Sequence, residues 1–453
     1  MEKNITIIGG GLAGSEAAYQ IAKRGIKVKL YEMKPSKFSP AHSNCNLAEI
    51  VCSNSFKSNL ITNASGLLKE ELRQLDSLLI KIADEVQVPA GQALAVDREK
   101  FAEEVTKRLE QFANIEVIRQ EVGKEISVKQ LAENGIVIIA TGPLTSESLS
   151  KEIQELTGED KLYFYDAAAP ILTKESIDFD IAFFGNRYDQ EKQKDETIED
   201  WKKRLENQDA SYINLPMNKE EYENFWQELV NAEIVTLHEF EKREIFEGCM
   251  PIEVMAKRGI DTLRYGPLKP VGFDDPRTGK RPYAIVQLRQ DDTDGIIYNI
   301  VGFQTNLKYG EQKRVFSIIP GLENAEFVKY GVMHRNTYIN STKLLDNTYC
   351  LKKNENVFFA GQITGVEGYV ESISSGMVSA INACQKYFGK EKIIFPETTM
   401  VGALAKYIST ENDKFQPMNA NFGIVPELNE KIRDKKLKYG KLADRGIADL
   451  KKL

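Results

Sequence analysis

Few side chains in this sequence can do nucleophilic or metal chemistry: five cysteines (Cys45, Cys52, Cys249, Cys350, Cys384) and three histidines (His42, His238, His334). The cysteines are odd in number and irregularly spaced, and no spacing joins them to the histidines in a ligand pattern. The sequence therefore predicts reduced thiols, no disulfide framework and no metal. Cys52 stands out. It lies in AEIVCSNSFKSN, residues 48–59, at the end of a short apolar run and directly before small polar residues. A thiol there either packs as a small hydrophobe or, ionised, acts as a nucleophile. The second pattern is glycine. Gly9, Gly11 and Gly14 form G-x-G-x-x-G, with Gly10, Leu12 and Ala13 completing the turn. Its chemistry is anion binding: the first glycine makes a tight turn, the second lets the backbone approach a pyrophosphate, and the third lets helix and strand pack closely.

The elements that must position these glycines can be read on either side. NITIIGGGLAGSEAAYQIAKRGIKVKLYEMK reads as strand, turn, helix, strand, with Ile5, Ile7 and Ile8 buried and Ala17, Ala18 and Ile21 facing the sheet. The helix N-terminus offers unbonded N–H groups and a partial positive charge to phosphates. Glu32 falls 18 residues after Gly14, at the end of the second strand, where a carboxylate accepts ribose hydroxyls. Two later stretches favour FAD over NAD as the tightly bound dinucleotide. NGIVIIATGP, carrying Thr141 and Gly142, resembles the second dinucleotide-contact strand of large flavoproteins. NVFFAGQITGVEGYVESISSGMVSAINA, carrying Gly361 and Gln362, repeats the strand–glycine turn–helix form late in the chain. Such a late unit returns a helix N-terminus to the flavin, where reduction places negative charge. The predicted fold class is α/β, a glutathione-reductase-type FAD-binding Rossmann fold with an inserted mixed α+β domain.

At 453 residues the chain is long enough for two or three subdomains. We place a first FAD-binding part at 1–160, an inserted substrate or RNA domain at 161–330, and a second FAD-binding part with a basic helical tail at 331–453. Within the first part, Asp97 is expected to cap a helix with Phe101, Val105 and Leu109 on one face. Within the insert, Tyr222, Phe225, Trp226 and Leu229 form a helical stripe that reads as core, and RPYAIVQLRQ and IIYNIVGFQTNL suggest an antiparallel sheet. No run of about 18 apolar residues exists, so no membrane span is predicted. The chain opens on a strand without a charged-then-apolar leader, which gives a cytoplasmic expectation. The net charge of −7 excludes a passive nucleic-acid coat, but it hides two basic stretches. Residues 257–289 hold eight Lys/Arg against three Asp, and residues 431–453 hold nine against three.

The blocks GGGLAGSEAA, VCSNSFKSN, FYDAAAPI, FEGCMPIEVMA, RYGPLKPVG, GFQTNLKYGEQKRVF and FAGQITGVEGYVESISSG together resemble the folate- and FAD-dependent tRNA (uracil-5-)-methyltransferases. That family is a shorter relative of the tRNA-modifying glucose-inhibited division protein A. The likeness runs over nearly the whole chain. It implies a reductive methylation of uridine C5 in the tRNA T-loop. The carbon comes from 5,10-methylenetetrahydrofolate, and the electrons come from NADH or NADPH through FAD. In that family the cysteine of the VCSNS segment lies beside the flavin, so the resemblance assigns Cys52 a functional role. Uracil C5 is a poor nucleophile until a group adds to C6, and a thiolate both adds and leaves readily. Glu367 and Tyr369 would reach flavin and folate, Tyr369 by stacking on the pterin. Read from the residues alone, they are a helix-start carboxylate and a packed tyrosine. Asp166 in FYDAAAP reads as a loop cap. The basic stretches gain weight as contacts to RNA phosphates. One position departs from the family: Leu215 stands in YINLPM where members usually read Asn-Cys-Pro, and that cysteine is the family's usual candidate to attack the uracil. A leucine cannot add to C6, which leaves Cys52 and Cys249 as candidate thiols. The alternatives are an rRNA-directed paralogue with the same cofactors, a NAD(P)H-dependent flavin oxidoreductase without RNA methylation, or a flavin-fold RNA-binding protein.

Overall fold

Ile-rich runs with no polar alternation form strands buried on both faces, and such strands assemble into parallel sheets. A computed structural model of the chain describes residues 4–158, 162–188, 192–193, 195–206, 210–235, 250–331, 333–413 and 415–453. Its first sheet has six strands in the order Cys350–Leu351, Asn354–Phe359, Ile136–Ile139, Asn4–Ile8, Lys27–Tyr31 and Ile115–Ile118. The last five run parallel, with Ile5 opposite both Val28 and Ile136, and Phe358 opposite Ile138. The strand from the late glycine unit is thus separated from the first strand by Ile136–Ile139 alone. This is the doubly wound Rossmann-type arrangement that the sequence predicts.

Helix Leu12–Ala22 lies against this sheet with Ala17, Ala18 and Ile21 fully buried, and it packs closely on helix Tyr369–Tyr387. Small residues make the approach possible: a Cβ on Gly376 would come within 2.2 Å of the Ala13 carbonyl oxygen. Helix Arg98–Glu110 starts on Asp97, whose carboxylate accepts the Lys100 N–H at 3.1 Å, and it buries Phe101, Val105 and Leu109.

The second sheet draws all its strands from residues 171–329, in the order Phe183–Phe184, Tyr212–Met217, Ala284–Gln290, Ile297–Ile300, Ile171–Thr173 and Phe327–Lys329. Every neighbouring pair is antiparallel. Helix Lys219–Asn231 covers it, opened by a capping box between Asn218 and Glu221. Tyr222, Phe225 and Leu229 are fully buried, whereas Trp226 is partly buried and donates to the Ala256 carbonyl at 3.0 Å. A two-stranded antiparallel ribbon, Leu162–Ala167 with Met333–Tyr338, carries the chain between the two sheets and back. Asp166 lies opposite His334 in it.

One buried carboxylate ties the early and late parts of the chain together. Glu71, in helix Ala64–Gln74, accepts the Met400 and Val401 N–H groups at 2.8 and 2.9 Å, at the start of helix Met400–Ser409. Burial pushes its pKa up from 4.5 to about 7, with the two N–H donors pulling the other way. A folded-state pKa above the unfolded one means that the stabilising contribution is complete below about 4.5 and shrinks as pH rises through 7. Glu71→Ala is expected to lower the Tm by leaving two buried N–H groups unpaired, at about 1–3 kcal/mol each. The gap in Tm between wild type and variant should narrow from pH 5 to pH 8. A gap that widens over that range would refute this account of Glu71.

Candidate functional site

A groove of about 380 Å³ opens above the carboxyl ends of the first sheet, where ligands sit in open α/β sheets. Its floor is the first glycine turn. Gly9 has φ +104°, and a Cβ there would lie 2.6 Å from the Ala140 carbonyl oxygen. Gly10 donates its N–H to Glu32 Oε2 at 2.9 Å, and Lys34 donates its N–H to Oε1 at 3.0 Å, which holds the Glu32 carboxylate at the groove wall. Leu12 and Ala13 line the groove where helix Leu12–Ala22 begins without a side-chain cap, so its first-turn N–H groups are available to a ligand. Gly11 is open: a Cβ there meets no atom within 4 Å. Gly14 does not line the groove. Its Cβ would fall 1.8 Å from the Gly9 carbonyl oxygen, so its place is the contact between helix and turn.

The other predicted cofactor residues converge on the same space. Thr141 and Gly142 follow strand Ile136–Ile139 into it, and Gly361 and Gln362 follow strand Asn354–Phe359. Gly361 has φ +82°, and a Cβ there would press the Ala13 side chain at 3.1 Å, so the two glycine turns touch. Gln362 donates to the Glu367 carboxylate, and Glu367 takes the Met418 carbonyl with its N–H at 2.8 Å. Helix Tyr369–Tyr387 begins on Gly368 without a side-chain cap, so a second helix N-terminus opens beside the groove. Two uncapped helix ends, a carboxylate on the far strand and two glycine turns in contact fit a long dinucleotide with a pyrophosphate at its middle.

Cys52 lines the groove and is half-buried. Its thiol donates to the Ala167 carbonyl at 3.7 Å, and its carbonyl accepts from Arg98 at 3.1 Å. The N–H groups of Cys52 and Ser53 both donate to the Tyr369 hydroxyl at 3.0 Å. Tyr369 also packs on Phe56, with ring centroids 5.6 Å apart. Burial first, and then the charge on Cys52, pushes the Tyr369 pKa above its ordinary value. Tyr369 therefore grips the loop of the thiol, a contact that the stacking expectation did not contain.

The sequence reading missed several residues at the groove. Lys34 Nζ lies 3.2 Å from Glu49 Oε2, in a pair almost closed to solvent. Burial raises the Glu49 pKa, but the Ser43 N–H, Lys34 and the Ser43 hydroxyl outweigh it and hold the carboxyl below 4.5. Burial, with the charge of Lys34, lowers the pKa of His42. Lys57 lines the groove at φ +64°, and its Nζ is 3.4 Å from Glu371. No motif marks these positions: loops bring in Lys34, His42 and Glu49, and the short strand Ser55–Ser58 brings in Lys57.

The remaining thiols divide plainly. Cys350 and Cys384 are buried, and burial pushes both up to about 11, which is the behaviour of packing residues. Cys45 is exposed. Cys249 and His238 lie outside the described residues. Leu215 is fully buried opposite Val286 in the core of the second sheet and does not line the groove. Arg289, counted above within a basic stretch, is also buried. Among the described residues no group of three or more His, Cys, Asp or Glu could hold a metal ion, and no helix is long and apolar enough to cross a membrane.

The family described as Glucose inhibited division protein A matches residues 4–391 of this chain. Proteins named methylenetetrahydrofolate–tRNA-(uracil-5-)-methyltransferase TrmFO are similar over their full length. The one from Acetivibrio thermocellus is 59% identical over 99% of this chain and 98% of its own. The one from Fusobacterium nucleatum is 58% identical over 100% and 99%. Among solved structures, that of Aquifex aeolicus GidA superposes with a TM-score of 0.68 at 17% identity, covering 100% of this chain and 73% of the other. That superposition establishes the shared fold.

Proposed function

The chain belongs to the Glucose inhibited division protein A family and, within it, to the methylenetetrahydrofolate–tRNA-(uracil-5-)-methyltransferases, and from that membership we propose that it converts a uridine of the tRNA T-loop to 5-methyluridine. The balance is uridine, methylenetetrahydrofolate, NAD(P)H and a proton going to 5-methyluridine, tetrahydrofolate and NAD(P)⁺. A bound FAD supplies the two-electron chemistry that turns a methylene into a methyl group. The chain's own residues do the rest. The helix beginning at Leu12 would hold the pyrophosphate, Glu32 would accept the ribose hydroxyls, and the Gly361–Tyr369 segment would face the flavin. Cys52 is the nucleophile. Its thiolate would add to uracil C6 and C5 would attack the methylene; loss of the C5 proton then expels tetrahydrofolate and leaves an exocyclic methylene, and once that carbon takes up a hydride the thiolate leaves as the C5=C6 bond re-forms. Gln362 and Glu367 face the same space and orient the folate.

The observation that carries this reading is that Cys52 lines the same groove as two glycine turns in contact. Leu215 is buried in the second sheet and does not line the groove, so the addition is assigned to the thiol that does. The relatives' names specify tRNA, so rRNA is not the proposed substrate. The protein works where unmodified tRNA is made, in the cytoplasm. The test supplies the purified yellow protein with NADPH, or NADH, and methylenetetrahydrofolate, then maps 5-methyluridine by mass spectrometry in tRNA and rRNA transcripts. The mark is expected in the tRNA T-loop. Its absence from both RNAs would sink the proposal.

The basic face at 257–281 is the proposed phosphate contact. Arg264 pairs with Asp261 and Arg277 with Asp275. Lys257, Lys269 and Lys280 are exposed and make no ion pair among the described residues, and Tyr265 beside them is 82% exposed. Changing the three lysines to Gln is expected to raise KM for tRNA several-fold and leave kcat alone. The salt dependence of binding should flatten by roughly 0.7–0.9 in log–log slope per lost contact. An unchanged slope would move the RNA to another face.

A further inference from the structure

Residues 52–54 have no regular secondary structure, yet almost every polar group in them is taken. Tyr369 holds two N–H groups and Arg98 holds the Cys52 carbonyl. The Asn54 amide donates to the Val96 carbonyl at 3.1 Å and to the Gln290 carbonyl at 2.9 Å. Arg289 donates to Asn54 Oδ1 at 3.0 Å through Nε and to Ser53 Oγ at 2.7 Å through a terminal nitrogen. Arg98, which holds the thiol residue's carbonyl, is itself fixed by Asp291 at 2.9 Å. Beside them Asp97 accepts both the N–H and the hydroxyl of Thr293 at 3.1 Å. Residues 289–293 belong to one hairpin of the second sheet, between strands Ala284–Gln290 and Ile297–Ile300.

Arg289 is the unusual member. It is 7% exposed and makes no ion pair among the described residues. Burial pulls its pKa below the ordinary value, with Tyr212 and Asp291 opposing and Arg98 adding to the burial effect. A guanidinium kept inside on neutral partners such as Asn54, Ser53 and Tyr212 is costly. An apolar residue would serve a plain packing contact better. Its two-pronged donor geometry suits the side chains on the two residues that follow Cys52.

We propose that Arg289 is a positioning residue for Cys52: it fixes the Ser53–Asn54 loop against the hairpin of the second sheet, so that the direction of the thiol depends on how that sheet seats over the groove. The proposal rests on the reading of Cys52 as the nucleophile. It means that the half of the molecule carrying the proposed RNA face and the thiol move as one body, while Tyr369 is the contact from the cofactor half that the loop must keep.

The test uses the full-length, FAD-loaded protein. Two quantities are measured in Arg289→Gln and Arg289→Lys: the rate of iodoacetamide alkylation mapped to Cys52, and kcat and KM for tRNA methylation. Arg289→Gln is expected to change the alkylation rate at least fivefold and to lower kcat at least tenfold, with KM for tRNA within threefold and FAD content unchanged. Arg289→Lys, a charge without the fork, should recover only part of kcat. Alkylation and kcat both within twofold of wild type in Arg289→Gln, whatever its Tm, would overturn the proposal and leave Arg289 as structural glue. Should Arg289→Gln fail to fold, Ser53→Ala removes only the hydroxyl that Arg289 holds. A threefold or larger fall in kcat would then support the role, and unchanged kcat and alkylation would overturn it. Alkylation needs no RNA, so it reads the positioning even if the wild type makes no 5-methyluridine, a result that would refute the function alone.

Discussion

Replacing Cys52 by alanine is expected to lower 5-methyluridine formation by about three orders of magnitude or more, the size of effect seen when a covalent nucleophile is removed. Folding and FAD content should stay as in the wild type. The loop is held through its backbone, by Tyr369 on the Cys52 N–H and Arg98 on the carbonyl, and neither contact uses the sulfur. The thiol donates to the Ala167 carbonyl at 3.7 Å. The measurement is methyl transfer to tRNA under NADPH and methylenetetrahydrofolate, with the flavin-to-protein absorbance ratio as control. Full activity in Cys52→Ala would remove the thiol from the chemistry. Loss of FAD together with activity would make Cys52 a residue of the fold.

The second large effect is expected from a single methyl group. Gly14→Ala places a Cβ 1.8 Å from the Gly9 carbonyl oxygen. The atom in the way is backbone, so helix Leu12–Ala22 must lift from the turn, and its contact with helix Tyr369–Tyr387 goes with it. Overpacking of this kind costs on the order of 3 kcal/mol or more. The protein should emerge colourless, with a clearly lowered Tm. Gly11→Ala is the informative contrast. Its Cβ meets nothing within 4 Å, so the FAD-stripped variant should match the Tm of FAD-stripped wild type while FAD content falls, because the added methyl stands where the pyrophosphate must approach. A Gly11→Ala protein that stays fully yellow would move the pyrophosphate elsewhere. A stable, yellow Gly14→Ala protein would contradict the packing described for the turn.

These two positions also show what could be read from sequence. The glycine spacing carries its meaning locally: three small residues, a strand before and a helix after are enough to place the turn, the helix end and Glu32. The Asp97 cap and the stripe through Tyr222, Phe225 and Leu229 are local in the same way, with periods of three and four residues. The contacts that give Cys52 its setting are not local. Its partner Tyr369 is 317 residues away, and Arg289 is 236 residues from Ser53. No periodicity spans such distances. Arg289 was counted with exposed cations because a strand residue beside charged neighbours looks the same whether its face is wet or docked. Leu215 raised a doubt for the converse reason: a missing thiol matters only where a thiol would reach the groove, and strand Tyr212–Met217 points that side chain into the core. Lys34, Glu49 and His42 were invisible because a loop, not an element, brings them to the wall.

The strand order of the first sheet also sets a schedule for the newborn chain. Strand Ile136–Ile139 pairs on one side with the first strand and on the other with Asn354–Phe359. The ribosome must add about 215 residues between those two neighbours, roughly 10–40 s of synthesis at ordinary elongation rates. For that interval an all-apolar strand edge stays open, the kind of edge that invites sticking to other chains. That edge can be covered by its native neighbour only after residue 359 has left the exit tunnel.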